Sequence, residues 1–101
     1  MATLFISRHV GAMDWLKNQG ISIDRTFSIF TESLVNEGDT VIGAFDIATA
    51  LKVIEQGANY VHLKLDVPEE LKGKELTEEE IVSCDAQLLK LDITSQPFTT
   101  S

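Results

Sequence analysis

The 101-residue chain has one cysteine, two histidines and two prolines, and only eight Lys and Arg against sixteen Asp and Glu. Each shortage excludes something. A lone Cys84 makes no internal disulfide, and with His9 and His62 it falls short of a four-ligand Cys/His zinc site. Nothing resembles an EF-hand loop either; a hard-metal site of carboxylates stays open, and no residue is assigned as a metal ligand. The net charge of -8 argues against a protein that coats long nucleic acid by neutralising phosphates, so an anionic ligand has to be held locally. The longest stretch without Asp, Glu, Lys or Arg is the nine-residue tail Ile93 to Ser101, far below the roughly 20 apolar residues of a membrane span. No basic segment followed by an apolar one opens the chain, and the expected location is the cytoplasm. Walker, GxGxxG and GxSxG patterns are all missing, which removes the usual signals of nucleotide hydrolysis, dinucleotide redox chemistry and α/β-hydrolase chemistry.

What remains is 44% hydrophobic and 24% charged, the composition of a soluble globular domain with one modest core. We expect a single domain over residues 1–92 and a flexible Ser/Thr-rich tail over 93–101. Thr3 to Ser7 is a short apolar β-rich run, of the kind buried on both faces of a sheet. A short helix over Asp14 to Gln19 follows, closed by Gly20. Ile21 to Phe27 alternates apolar and polar residues as a half-buried strand near an edge does. Thr31 to Glu37 predicts a helical turn or two, and Thr40 to Gly43 a third strand. Asp46 is placed to cap a helix over Ile47 to Gln56, whose apolar residues recur at helical spacing. Asn59 to Leu65 predicts the fourth strand, with Tyr60, His62 and Lys64 on one face and Val61, Leu63 and Leu65 on the other. Thr77-Glu78-Glu79-Glu80 matches a capping box, and the stripe Ile81, Cys84, Leu88, Leu91 extends the predicted last helix to Leu91.

Strands alternating with helices imply parallel pairing by right-handed crossovers. The expected fold is α/β: a small Rossmann-like parallel sheet of about four strands, in the order 2-1-3-4, with helices on both faces. Ligands of such folds bind at the carboxyl edge, where strand order reverses, here between strands 1 and 3.

The loop at that point, Ser7-Arg8-His9-Val10-Gly11, joins a hydroxyl, a permanent cation, an imidazole and a glycine at the mouth of a helix. Arg8 can clamp phosphate oxygens bidentately, N–H groups near Gly11 can add donors, and His9 titrates near neutrality. The bland alternative is a surface ion pair and a surface histidine. After strand 3, Gly43 permits close backbone approach, Asp46 reads first as a helix cap, and Thr49 stands one turn inside the helix. Asp66, just past strand 4, suits a ribose hydroxyl, or the turn before Pro68. His62, mid-strand, reads first as structural, or, with Lys64, as facing a partner subunit if strand 4 lies beside the pocket; Trp15, Phe5, Phe27, Phe30, Phe45 and Cys84 read as core.

At these residues the chain resembles a known family, the small type III CRISPR accessory proteins numbered sixteen in the Csx series, regarded as ring nucleases. The resemblance rests on Phe5-Ile6-Ser7-Arg8-His9-Val10-Gly11-Ala12 with Trp15, on Gly38-Asp39-Thr40-Val41-Ile42-Gly43, and on His62-Leu63-x-Leu65-Asp66-x-Pro68 followed by Gly73-x-Glu75-Leu76. It spans most of residues 4 to 82, and many members have proline where this chain has Val10. It implies a metal-independent enzyme without cofactor that binds cyclic oligoadenylate, cyclic tetra-adenylate foremost, and cuts it to linear products with 2′,3′-cyclic phosphate ends, switching off antiviral signalling. The expected catalytic residues are Arg8, His9 and Ser7, the ligand contacts Gly11, Gly43, Asp46, Thr49 and Asp66, and the assembly a two-fold homodimer matching the symmetry of the ring. A hydroxyl, an arginine and a histidine serve binding as well as cleavage, so a module that sequesters or senses the ligand stands as the alternative, and a protein-interaction adaptor as a third reading.

Overall fold

The computed structural model describes residues 1–7, 10–73, 76–93 and 96–98. Its centre is a five-stranded sheet in the order β2-β1-β3-β4-β5. β1 (Thr3–Ile6), β2 (Arg25–Phe27), β3 (Thr40–Gly43) and β4 (Asn59–Lys64) run parallel, and β5 (Gln87–Leu91) runs antiparallel to β4. The first four strands therefore stand in the expected order.

Burial on both faces explains the apolar composition of β1 and β3. Leu4, Ile6 and Val41 join Tyr60, Ala50 and Val53 on the face covered by α2 (Ile47–Glu55). Phe5 and Ile42 join Ala12, Trp15, Leu16, Leu63 and Ile81 on the face covered by α1 (Val10–Asn18) and α3 (Glu78–Ser83). Tyr60 and Leu63 fall in different layers, as the predicted alternation along β4 requires. Phe5, Trp15 and Cys84 are core residues, whereas Phe27, Phe30 and Phe45 are partly buried against the α2 layer.

Local signals act where they were read. Asp46 caps α2, its Oδ1 accepting from the Thr49 N–H at 2.8 Å. The capping box of α3 is complete: Thr77 Oγ1 accepts from the Glu80 N–H at 3.2 Å and Glu80 Oε1 from the Thr77 N–H at 3.0 Å. Gly20 ends the first helix with φ +82°, a conformation that costs glycine little. Asp39 is buried and binds the Ala2 and Asn36 N–H groups, fastening the start of β1 beside β3.

Three elements differ from expectation. The first helix begins at Val10 rather than Asp14, and the second strand shrinks to Arg25–Phe27, with Ile21 and Ile23 packing against the core from a loop. The third difference is a correction: the last helix does not reach Leu91. It stops at Ser83, Asp85 takes φ +55°, and the chain turns back as β5 along the open edge of β4. Residues 88 and 91, three apart, share a helix face but take opposite faces of a strand. Leu88 packs in the α1/α3 layer and Leu91 in the α2 layer, so each core receives one leucine, and the outer backbone groups of β4 gain partners. Of the tail expected at 93–101, residues 94, 95 and 99–101 lie outside the described residues, and Ile93 packs against the α2 layer.

Candidate functional site

Because β1, β3 and β4 are parallel, their carboxyl ends share one edge of the sheet. From β1 the chain goes to β2 on one side, and β3 lies on the other, so the switch point falls between β1 and β3 as expected. A cavity of about 380 Å³ opens there, walled by Ser7 at the end of β1, by Ser28 and Phe30 after β2, and by Phe45, Asp46 and Thr49 at the start of α2. Ser7, Asp46 and Thr49 thus converge, as the sequence placed them. Arg8 and His9 directly follow Ser7 and lie outside the described residues.

Asp46 owes its character to its capping role. The backbone N–H and then the hydroxyl of Thr49 hold its carboxyl below the ordinary value, so it stays ionised and is a weak base. It suits accepting a hydrogen bond from a ligand hydroxyl or amine, rather than abstracting a proton.

Gly43 has a different use from the one expected. A Cβ there would lie 2.8 Å from Phe45 Cε1 and 3.0 Å from the Ile6 carbonyl oxygen, so the close approach it permits is that of the chain's own ring. Phe45 stacks on Tyr60 with centroids 5.4 Å apart and planes 11° apart, and Phe30 tilts onto Phe45 at 5.5 Å. The Tyr60 hydroxyl then ties the loop down. It accepts from the Phe45 N–H at 2.9 Å, and stands 3.2 Å from the Gly43 carbonyl oxygen and 2.6 Å from Nδ1 of His62. Burial, with the Asp46 charge adding to it, raises the Tyr60 phenol above its ordinary value, so the hydroxyl keeps its proton.

Gly11 and Asp66 go elsewhere. A Cβ on Gly11 would meet the Leu76 carbonyl oxygen at 2.5 Å and the Glu78 nitrogen at 2.6 Å, so this glycine lets α1 touch the backbone entering α3. Asp66 lies at the same sheet edge, but on a separate cavity of about 930 Å³ bounded by Pro68, Leu71, Lys72 and Ser83. Its N–H donates to the Cys84 carbonyl at 2.8 Å. Among the described residues, no three His, Cys, Asp or Glu side chains gather to hold a metal ion, and no helix is long and apolar enough to cross a membrane.

Residues 4–94 match the family model described as "Putative CRISPR-associated protein (Cas_VVA1548)". The chain belongs to this CRISPR-associated family. From Leu4 onward, the matched span takes in the five described strands, the residues lining the two cavities described above and the Ser7-Arg8-His9 segment of this family member. No curated protein and no solved structure matches the chain.

In this CRISPR-associated chain, the sequence left Tyr60 unassigned and gave His62 a structural place first, with a face toward a partner subunit as the alternative. The alternation along β4 put the two on one face, which was the available signal. That the phenol also reaches Gly43 and Phe45 depends on the register Gly43↔His62 and on the path of the β3–α2 loop, which only the fold supplies.

Proposed function

We propose that the chain is a metal-independent ring nuclease that binds cyclic oligoadenylate, with cyclic tetra-adenylate as the preferred ring, and cleaves it to end type III CRISPR signalling. The observation that carries this reading is the cavity between the carboxyl ends of β1 and β3, polar at Ser7, Asp46 and Thr49 and aromatic at Phe30 and Phe45, with Arg8 and His9 next in sequence after Ser7. Membership of a CRISPR-associated family and the resemblance to ring nucleases support it.

The reaction asks little of the protein beyond alignment and charge. A ribose 2′-oxygen attacks the adjacent 3′-phosphate and forms the O2′–P bond as the P–O5′ bond breaks. The 2′-hydroxyl proton leaves to a base, and O5′ takes one up, giving a 2′,3′-cyclic phosphate and a free 5′-hydroxyl. Arg8 neutralises the phosphate, His9 moves the proton, and Ser7 donates a hydrogen bond. Asp46 and Thr49 contact ribose or adenine. Two copies related by a two-fold axis match a ring of four equal nucleotides, so the acting form is a homodimer. The acidic surface of the chain disfavours long RNA while leaving a local cationic pocket intact.

The test is chromatography of cyclic tetra-adenylate incubated with the protein in EDTA. Linear product from the wild type, slowed about 10²- to 10³-fold in Arg8→Ala and in His9→Ala, is the expected result. Equal cleavage by both variants refutes the assigned residues. An intact ring retained by the protein makes the chain a sequestering module, and an intact, unbound ring ends the nucleotide reading.

A further inference from the structure

The cleavage scheme makes no use of Tyr60 or His62, yet this pair underlies one wall of the cavity. In the sheet His62 lies opposite Gly43, the last residue of β3, and so at the edge where the β3–α2 loop departs. Tyr60, on the same face, is only 1% exposed. Its hydroxyl has three neighbours, the Phe45 N–H, the Gly43 carbonyl and His62 Nδ1.

A phenol has one proton to donate and two lone pairs to accept with. The Phe45 N–H takes one lone pair. If His62 carries its single proton on Nε2, Nδ1 takes the phenolic proton and the Gly43 carbonyl goes without. If Nδ1 carries a proton, as in the imidazolium, it donates into the second lone pair and the phenolic proton turns to Gly43. All three contacts are then satisfied together, and the hydroxyl fastens both ends of the Gly43–Phe45 segment. No described residue bonds Nε2, and His62 as a whole is half-buried.

Among the described residues, the surroundings of the pair are sparse in charge. Opposite His62 stand Gly43 on β3 and Leu89 on β5, and α2 contributes Ala50 and Val53 to the layer. The charged neighbours are Lys64, two residues along the same strand face, and Asp46, whose charge reaches the Tyr60 hydroxyl.

We infer that His62 is a positioning residue which, through the Tyr60 hydroxyl, sets the β3–α2 loop according to its own protonation, clasping Gly43 and Phe45 when Nδ1 is protonated. Since Phe45 and Asp46 wall the cavity, the same proton sets the shape offered to a ligand. The inference rests on the proposed function only in calling that cavity the site; the coupling itself needs no substrate.

Nuclear magnetic resonance of the full chain tests it, in a His9→Gln background so that His62 is the one imidazole. The expected result is a Phe45 amide signal that shifts with pH at the midpoint of the His62 ring. In Tyr60→Phe the ring still titrates but the amide no longer follows, and in His62→Gln the amide is flat over that range. A Phe45 amide indifferent to the ring's titration, or one that follows it equally well in Tyr60→Phe, overturns the inference. Should Tyr60→Phe fail to fold, His62→Gln decides alone, an amide that still titrates being the refuting result. Failure of the nuclease reading shows separately, as uncut ring in the chromatographic assay.

Discussion

Replacing Gly11 with alanine should destabilise the protein in the absence of any ligand, although alanine is the better helix former. The new Cβ would stand 2.5 Å from the Leu76 carbonyl oxygen, 2.5 Å from the Thr77 carbonyl carbon and 2.6 Å from the Glu78 nitrogen. Ordinary non-bonded contacts lie near 3.5–4.0 Å, so the overlap is about 1 Å. None of the three atoms can rotate away, because all belong to the backbone at the start of α3, which the Thr77 capping box and the Asn18–Glu78 hydrogen bond of 2.7 Å hold in place. Overpacking costs about 1–3 kcal/mol and sits at the upper end when backbone must move. Alanine returns about 1 kcal/mol of helix preference, leaving a net loss of about 2 kcal/mol. For a domain of this size that is a fall in Tm of about 8–16 °C. Thermal unfolding by circular dichroism, with urea unfolding to check that the m-value is unchanged, measures it. Gly20→Ala is the control: its Cβ meets nothing within 4 Å, and only the left-handed φ of +82° opposes it, at about 1–2 kcal/mol. A Gly11→Ala protein as stable as wild type refutes the argument. Unaltered stability together with lost nucleotide affinity returns Gly11 to the role of a glycine that lets a ligand approach.

Thr77→Ala removes the hydroxyl acceptor of the capping box and should lower stability by about 1 kcal/mol in urea unfolding, with Thr77→Ser restoring most of it. Asp39 governs acid behaviour. The Ala2 and then the Asn36 N–H groups hold its carboxyl below the ordinary 3.8, so its contribution is complete above that value and drains away as pH falls through the lower folded value. Urea midpoints should show a wild-type advantage over Asp39→Asn that is constant above pH 5 and shrinks below pH 4; an advantage unchanged down to pH 2 contradicts the assignment.

Periodicity made the sheet legible. Two short β-rich runs and two alternating strands, separated by helical spacing, fixed four strands and their order, because each local signal agreed with the right-handed crossover rule. The last element escaped for a specific reason. Ile81, Cys84, Leu88 and Leu91 satisfy a helix and equally a short helix followed by a strand, since the two leucines are then divided between opposite faces. Choosing between them needs the open edge of β4, a tertiary fact. The site was legible in part. Ser7, Asp46 and Thr49 come together because caps and strand ends lie where the fold binds ligands. The two glycines were assigned to ligand approach because sequence shows that backbone is bared, and not to what. Asp66 was placed at the right edge of the sheet and on a different cavity, the distinction being which face the chain takes after β4.

The position of β1 has a consequence for how the chain is made. Nearly first in sequence, it ends up second from one edge and enclosed on both sides, with Leu4, Phe5 and Ile6 each no more than 3% exposed. Its flank toward β3 is closed only when Thr3 meets Thr40, 37 positions later. At a synthesis rate of about 5–20 residues per second, that strand waits about 2–7 s as a bare apolar ribbon before its neighbour exists. A pause in synthesis after β1 has left the ribosome and before β3 has done so should therefore lower the soluble fraction more than an equal pause after β3 has emerged.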